Sequence, residues 1–264
     1  MIRLPECFKT FSVSGGVCRW NGVIQNCTGE EFSPAGAISV CDALLKGNAD
    51  RLFKDRKKIS AGIAGGKFVK LYKLPSPAAQ LCRLFRPGRA IHSLLAAEKL
   101  AGAGVETPQV MAAVRRIKKF KSCDFLITQS LHDTEKTYDT LFAGGSTDEN
   151  RSALLNEILP AVVKLHRNNI THGDLNLRNI YRSKSSSAGM IDLDGTRWHD
   201  SGLKMREREY ELARLCSGYC KVCKDEIISE IIDIVTAKYD ELCALSCNKN
   251  NICSRAEYLL NRRH

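Results

Sequence analysis

The chain has 264 residues, of which 44% are hydrophobic, so it is long enough for one large domain or two lobes and too apolar for global disorder. Its apolar runs are short and interrupted by charge, and none approaches the roughly 20 residues that span a bilayer. Residues 1–6 lack the pattern of a signal peptide, so we expect a cytoplasmic protein.

The charge is strongly positive, with 40 Lys plus Arg against 29 Asp plus Glu and a formal net charge of +11. A basic surface attracts polyanions such as nucleic acid, anionic lipid headgroups or phosphorylated substrates. The same charge also serves solubility alone. Net charge therefore does not choose among these partners.

Twelve cysteines are present, and without an export signal we expect reduced thiols. Cys216, Cys220 and Cys223 have the spacing of an iron–sulfur site in one class of radical enzymes. They fall, however, in a stretch that is predicted to be helical, and three thiolates lack a clear fourth ligand. Buried structural thiols are favoured over a metal site.

The first half of the chain is predicted to be mainly β-structure. Residues 1–48 contain β-prone fragments and form an N-terminal extension of unclear role. Three short strands follow at residues 51–54, 58–64 and 67–72, with a turn at Gly65 and Gly66. Pro75 and Pro77 break the sheet. A helix is predicted over residues 89–103 and a further strand over 124–128.

The second half is predicted to be mainly helical. A loop at residues 144–150 precedes an apolar helix at 153–167, and a turn at 183–189 precedes a short strand at 190–193. Helices dominate from residue 207 onward. This order predicts an α+β, two-lobed fold with a small β-rich N-lobe at 49–129 and a larger helical C-lobe at 130–264.

One set of polar residues supplies the groups that phosphoryl transfer from ATP requires. Asp174, in the segment His172–Asn179, is placed to orient an acceptor hydroxyl and take its proton. Asn179 follows it by five residues, the spacing between base and metal ligand in a kinase catalytic loop. Asp192 closes a strand 18 residues after Asp174, where a second metal ligand is expected. Lys70 lies on the third strand, where a phosphate-binding lysine is expected.

Each of these residues also has an ordinary structural interpretation. A lone Asp or Asn in a loop is usually a turn residue, and a lone strand Lys usually faces solvent. Residue type, order, spacing and predicted secondary structure agree for all four, which favours a kinase-type site. Since Asp174 fills the proton-accepting role, we expect His172 to shape the loop by hydrogen bonding.

These residues resemble the kinase-like phosphotransferase superfamily. His-Gly-Asp, in place of His-Arg-Asp, is similar to its small-molecule and bacterial branches, and above all to the lipopolysaccharide core kinases that phosphorylate Kdo or heptose. The resemblance runs from about residue 49 to about residue 218. It is carried by residues 68–73, 101–108, 172–180, 191–194 and 212–215.

The resemblance implies further site residues. Residues 128–131 become a hinge, with backbone groups of Gln129 and Leu131 facing the adenine of ATP. Glu98 either pairs with Lys70 or is a solvated surface residue, and Asp194 either helps to bind metal or caps a turn. No Gly-x-Gly-x-x-Gly loop precedes Lys70, so the basic hairpin tip at residues 54–58 is expected to cover the phosphates.

The predicted function is that of an ATP- and Mg-dependent kinase for a sugar hydroxyl on an anionic, lipopolysaccharide core-type glycolipid. Peripheral contact with the cytoplasmic face of the inner membrane is expected, and no nucleic acid partner. Three alternatives stay open: a small-molecule kinase, an atypical protein kinase with His-Gly-Asp, and a catalytically silent pseudokinase. No Ala-Pro-Glu motif lies between Gly195 and Glu211, which argues against a protein docked on a long activation loop.

Overall fold

A computed structural model describes residues 4–15, 18–25, 32–73, 88–118, 121–131, 135–145 and 147–261. The chain forms two compact units. The first contains Met1–Glu98 and Pro108–Ser130, and the second contains Lys99–Thr107 and Leu131–His264. The break predicted at Pro75 and Pro77 lies outside the described residues.

The first unit is built on one antiparallel sheet. Its strands are β1 (Phe8–Gly15), β2 (Cys18–Gln25), β3 (Arg51–Asp55), β4 (Ile59–Ala64), β5 (Lys67–Lys73), β6 (Val110–Lys118) and β7 (Lys121–Gln129). The seven strands lie in the order β1-β2-β6-β7-β5-β4-β3. The predicted strands at residues 51–54, 58–64, 67–72 and 124–128 are therefore confirmed to within a few residues at each end.

The N-terminal extension adds strands β1 and β2 and helix α1 (Pro34–Lys46) to this unit. Helix α1 begins after Ser33, whose side chain accepts from the amide of Gly36, and ends at Gly47 in the left-handed conformation (φ 76°). Its apolar face, which includes Val40 and Leu44, packs in one core with residues of the sheet. The extension is thus part of the sheet and of its core.

Strand β5 places alternate side chains on opposite faces of the sheet. Val69 and Leu71 point into the core beside α1. Lys70 and Tyr72 point to the other face, where the Tyr72 hydroxyl lies 3.5 Å from Oγ of Ser93 in helix α2 (Arg89–Gly102). The lysine that the sequence singles out therefore lies on the face of the sheet opposite to the α1 core.

The second unit is mainly helical. Its helices are α3 (Tyr138–Leu141), α4 (Asp148–Ala153), α5 (Leu159–Arg167), α6 (Met205–Val222), α7 (Ile228–Cys243) and α8 (Lys249–Asn261). Its short strands are β8 (Ile170–Thr171), β9 (Ile180–Arg182), β10 (Ala188–Met190) and β11 (Arg197–Trp198). Part of the predicted loop at residues 144–150 is helical, because Thr147 accepts a hydrogen bond from the Asn150 amide and starts α4 at Asp148.

The apolar helix predicted over residues 153–167 is interrupted by a π-helical turn at Leu154–Ile158. Pro160 lies at the start of the helix that follows, and a proline cannot donate the amide hydrogen bond of a regular helix. The wider turn carries Glu157, whose oxygens accept from Nε and Nη2 of Arg182, both at 2.8 Å. This ion pair attaches the helical segment before His172 to strand β9.

The prediction of a strand at residues 190–193 was wrong. Strand β10 ends at Met190, and Asp192 adopts the left-handed conformation (φ 59°, ψ 57°) before a 3-10 turn at Leu193–Gly195. Two backbone bonds cause the change of direction. The Met190 amide donates to the Glu106 carbonyl (2.8 Å), and the Ile191 amide donates to the Asn179 carbonyl (2.9 Å).

The thiols of Cys216, Cys220 and Cys223 are buried at α6 and its C-terminal end. Burial raises the pKa of Cys216 far above its usual range and that of Cys220 to about 12, so both stay protonated and act as small apolar side chains. Within the described residues, no three His, Cys, Asp or Glu side chains are grouped as a metal site would require. None of the helices in those residues is long and apolar enough to cross a membrane.

Candidate active site

The segment between His172 and Thr196 is closed at its base by two short strands. β8 pairs with β11, with Thr171 opposite Arg197 and Ile170 opposite Trp198. Inside the segment, Gly173 approaches Gly195 backbone to backbone. A Cβ atom on Gly173 would overlap the Gly195 carbonyl, and Gly173 has φ +80°, so only glycine fits. This contact explains why the motif in this chain is His-Gly-Asp.

The segment His172–Asn179 is the predicted catalytic loop. Its backbone is hydrogen-bonded to a buried carboxylate of α6. Glu211, 1% exposed, accepts from the His172 amide (N to Oε2, 2.8 Å) and the Gly173 amide (N to Oε1, 2.6 Å). Burial by itself would raise the pKa of Glu211, but the hydrogen bond from His166, the nearby histidines and the backbone amide lower it. An ionised Glu211 therefore fixes the start of the loop.

The ring of His172 is bonded through both nitrogens. Nε2 lies 3.0 Å from the Ile191 carbonyl oxygen, and the Asp174 amide nitrogen lies 3.3 Å from Nδ1. Since a carbonyl only accepts, Nε2 carries the proton and Nδ1 accepts. His172 thus connects the catalytic loop to the segment before Asp192, in agreement with the structural role expected for it.

The Asp174 carboxylate is fixed by several donors. Asn179 donates to its Oδ2 (3.1 Å) and to its carbonyl oxygen (2.9 Å), and Asn176 donates to its Oδ1 (3.1 Å). Arg214 of α6 contacts Oδ1, and Nη2 of Arg178 lies 3.9 Å from Oδ2. The Asp174 side chain is still 34% exposed. A carboxylate that is held and still accessible can orient a hydroxyl group and accept its proton.

Asn179 and Asp192 lie on neighbouring parts of one hairpin, because β9 pairs with β10 and the Ile191 amide bonds to the Asn179 carbonyl. The side-chain nitrogen Nδ2 of Asn179 donates to Asp174, so the side-chain oxygen Oδ1 of Asn179 points away from Asp174. Asp192 is exposed at the end of the hairpin. Amide and carboxylate oxygens are the ligands that Mg²⁺ prefers, so these residues fit a magnesium ion.

In the first unit, Lys70 is 8% exposed and its Nζ lies 5.3 Å from the ring centroid of Tyr72. Glu98 lies in α2 and is partly exposed. Among the described residues, Glu98 makes no hydrogen bond or ion pair, while Ser93 of the same helix is 1% exposed and contacts Tyr72. The pairing of Glu98 with Lys70 stays a prediction.

The other predicted nucleotide contacts are also in the first unit or at its end. Strand β7 ends at Gln129, whose amide donates to the Gln109 carbonyl (2.9 Å), and the chain passes into the second unit between Ser130 and Leu131. The basic tip between β3 and β4 is an exposed turn closed by a hydrogen bond from the Arg56 amide to the Ile59 carbonyl (2.9 Å). Adenine contact by Gln129 and Leu131 remains a prediction.

Two residues of this site were missed by the sequence analysis, Glu211 and Arg214. Glu211 belongs to none of the motifs named above, and Arg214 lies in the segment 212–215 but was given no role there. Both act on the loop from 38 or more residues away along the chain. A signal was available for Glu211. It lies on the buried face of α6 with Leu212 and Leu215, and a carboxylate at such a position indicates hydrogen-bonding partners inside the protein.

Comparison with known proteins identifies the class. The sequence profile of the Lipopolysaccharide kinase (Kdo/WaaP) family matches residues 69–239, well over half of the chain. With this match, the protein is a kinase. The chain belongs to the lipopolysaccharide kinase (Kdo/WaaP) family. The predicted family and kinase class are confirmed, and so is the α+β fold with a β-rich first unit and a mainly helical second unit.

No curated protein matches the chain in sequence. Among solved structures, that of vaccinia related kinase 3 is similar with 12% sequence identity, covers 98% of this chain and 93% of its own, and has a TM-score of 0.45.

Proposed function

We propose that the protein transfers the γ-phosphoryl group of ATP to a sugar hydroxyl of a lipopolysaccharide core-type glycolipid. The observation that carries this proposal is the environment of the Asp174 carboxylate. Asn179 and Arg214 hold it in place, and about a third of the Asp174 side chain is exposed to solvent. This residue lies inside the segment that matches the lipopolysaccharide kinase family.

In the proposed reaction, the acceptor hydroxyl approaches Asp174 and attacks the γ-phosphorus. A bond forms between the sugar oxygen and phosphorus, the bond to the β-phosphate oxygen breaks, and ADP leaves. Asp174 orients the hydroxyl and accepts its proton as the new bond forms. Glu211 and His172 keep the loop in the conformation that presents Asp174.

Further residues are proposed to hold ATP and its metal. Asn179 and Asp192 would bind Mg²⁺, and Lys70 would bind the nucleotide phosphates. Bound Mg²⁺ would neutralise the negative charge on the phosphates. The backbone of Gln129 and Leu131 would face adenine, and Glu98 is retained as a candidate partner of Lys70.

The acceptor is proposed to be an anionic glycolipid reached from the cytoplasmic face of the inner membrane. The formal charge of +11 supports this proposal, since positive charge near an anionic surface favours peripheral binding. The protein would then contact the membrane surface without spanning it.

The test is transfer of labelled γ-phosphate to a panel of Kdo-bearing glycolipids, small alcohols and proteins, with and without Mg²⁺. We expect labelling of the glycolipid by the natural chain and none by Asp174→Ala. Labelling only of alcohols, or only of protein, would contradict the proposed glycolipid acceptor. Equal ATP turnover by the natural chain and Asp174→Ala would contradict the catalytic assignment, and no turnover by the natural chain would favour a pseudokinase.

A further inference from the structure

A cavity of about 1090 Å³ lies beside the catalytic loop in the second unit. Its walls are formed by the loop itself and by helices α6 and α8. The lining residues that matter here are Gly173, Gly195, Tyr210, Arg214, Arg255 and Tyr258. The cavity is therefore bordered by Gly173, the residue directly before Asp174.

Helix α8 is attached to α6 at a defined position. Glu209 of α6 accepts from the Asn248 amide (2.9 Å) and from Nδ2 of Asn251 (3.1 Å), which caps the start of α8. Ile252 and Ala256 are completely buried. Arg255 lies next to this buried stripe but is exposed, and it lines the cavity.

The cavity carries an excess of positive charge. Its three carboxylates already accept backbone hydrogen bonds: Glu207 from Lys204 (3.0 Å), Glu209 from Asn248 and Glu211 from the catalytic loop. Within the described part of the chain, the side chains of Arg197 and Arg206 have no ion-pair partner. The cations of the lining are Arg197, Lys204, Arg206, Arg214 and Arg255.

Two tyrosines lie among these cations. The guanidinium carbon of Arg255 is 4.6 Å from the ring centroid of Tyr210 and 5.8 Å from that of Tyr258. Burial by itself would raise the pKa of Tyr210, but Arg214 and Arg255 lower it, which is a sign of the positive potential at this wall. Tyr258 is 55% exposed and offers a ring face to a sugar.

Arg214 connects the cavity to the catalytic carboxylate. It lines the cavity and contacts Asp174 with one terminal nitrogen, and it donates to the Tyr210 hydroxyl with the other (3.2 Å). Its Nε is buried and has no hydrogen-bond partner among the described residues. The guanidinium that touches Asp174 therefore also borders the cavity.

We propose that this cavity binds the acceptor sugar through an anionic group, a carboxylate or a phosphate, and that Arg255 is a specificity-determining residue. This proposal rests on the proposed function and adds to it the location of the acceptor. Helix α8 lies outside the segment 69–239 that matches the family. Positive charge and an aromatic face together suit an acidic sugar.

The test measures acceptor binding separately from phosphoryl transfer. The full-length chain is titrated, without ATP, with Kdo-bearing lipid A in detergent micelles. The same lipid is then used with its sugar carboxylates methylated, and with its phosphates removed. The variants are Arg255→Gln, Arg255→Lys and the matched charge control Lys238→Gln on α7, whose lysine pairs with Glu241. Phosphoryl transfer by each variant is measured with the same lipids.

We expect Arg255→Gln to weaken binding of the unmodified lipid by about tenfold or more, the loss expected for one charged hydrogen bond. Arg255→Lys should retain part of the affinity, and Lys238→Gln should change it by less than about twofold. If Arg255→Gln no longer weakens binding of the methylated lipid, the anion is a carboxylate. If it no longer weakens binding of the dephosphorylated lipid, the anion is a phosphate.

The two proposals fail in different ways. If Arg255→Gln binds all three lipids as the natural chain does, with an unchanged acceptor KM, the cavity assignment is overturned and the proposed function stands. If binding depends on Arg255 while no lipid is phosphorylated, the proposed function fails and the cavity assignment stands. Loss of affinity in Lys238→Gln equal to that in Arg255→Gln would show general charge attraction and would also overturn the assignment.

Discussion

The two sides of Asp174 are built in different ways. On one side, Asn179 and Asp192 belong to a short hairpin that follows the loop directly and lies inside the family match. On the other side, Arg214 comes from α6, inside that match, and Arg255 comes from α8, outside it. Groups for a shared chemistry are thus close in sequence, whereas groups proposed to select the acceptor are brought together by helix packing.

The largest effect on rate is expected from removal of the Asp174 carboxylate, which both sides contact. Asp174→Ala should lower kcat by about 10³-fold, within the range known for removal of a positioned acid or base. Because the side chain is 34% exposed, the fold should tolerate its removal. Single-turnover transfer from labelled ATP measures the rate, and thermal unfolding provides the control for folding. A rate within a factor of about ten of the natural chain would contradict the assigned role.

Asn179→Ala removes a proposed metal ligand on the hairpin side, together with two hydrogen bonds to Asp174. We expect the Mg²⁺ concentration for half-maximal rate to rise by at least about tenfold, since even indirect partners of metal ligands contribute this much. The acceptor KM should not change, because Asn179 does not line the cavity. Titration of Mg²⁺ and of acceptor separates the two parameters. A change confined to the acceptor KM would show that the two sides are not functionally separate.

Gly173→Ala tests the backbone contact between the predicted catalytic loop and the turn at Leu193–Gly195. The new methyl group would meet the Gly195 carbonyl in a left-handed backbone conformation, so the free energy of unfolding should fall by about 2 kcal/mol or more. Gly202→Ala is the matched control, because Gly202 also has a positive φ (+88°) but has no atom within 4 Å of the position that a Cβ would take. Its loss should be about 1 kcal/mol, the conformational cost alone. Equal losses in urea denaturation would exclude the steric explanation.

The smallest expected effect is on the pH dependence of stability. Glu211 has a lowered pKa in the folded chain, so its stabilising contribution is complete above the unfolded pKa and is lost as pH falls through the folded value. Glu211→Gln should therefore flatten the acid side of the stability curve, below about pH 4.5. Denaturation series from about pH 3 to about pH 7 on both chains measure this; parallel curves would contradict it.

Sequence reasoning succeeded where the information is local. Strands β3–β5 lie where the pattern predicts them, and Asn179 lies beside both Asp174 and the segment that carries Asp192, while the roles of these residues stay predictions. It failed where partners are distant. Strand β2 of the N-terminal extension pairs with β6, far along the chain, and no local pattern encodes that partner. Likewise, Glu211 and Arg255 reach the site only through the packing of α6 and α8.

The approach of Gly173 to Gly195 has an evolutionary consequence. Because a side chain at position 173 would displace the turn that contains Gly195, position 173 must stay glycine while that turn keeps its course, whereas a Cβ on Gly195 would meet Gly173 only at 3.4 Å. The clash is with the backbone of residue 195, so relatives that carry arginine at the position of Gly173 should differ in the course of that turn.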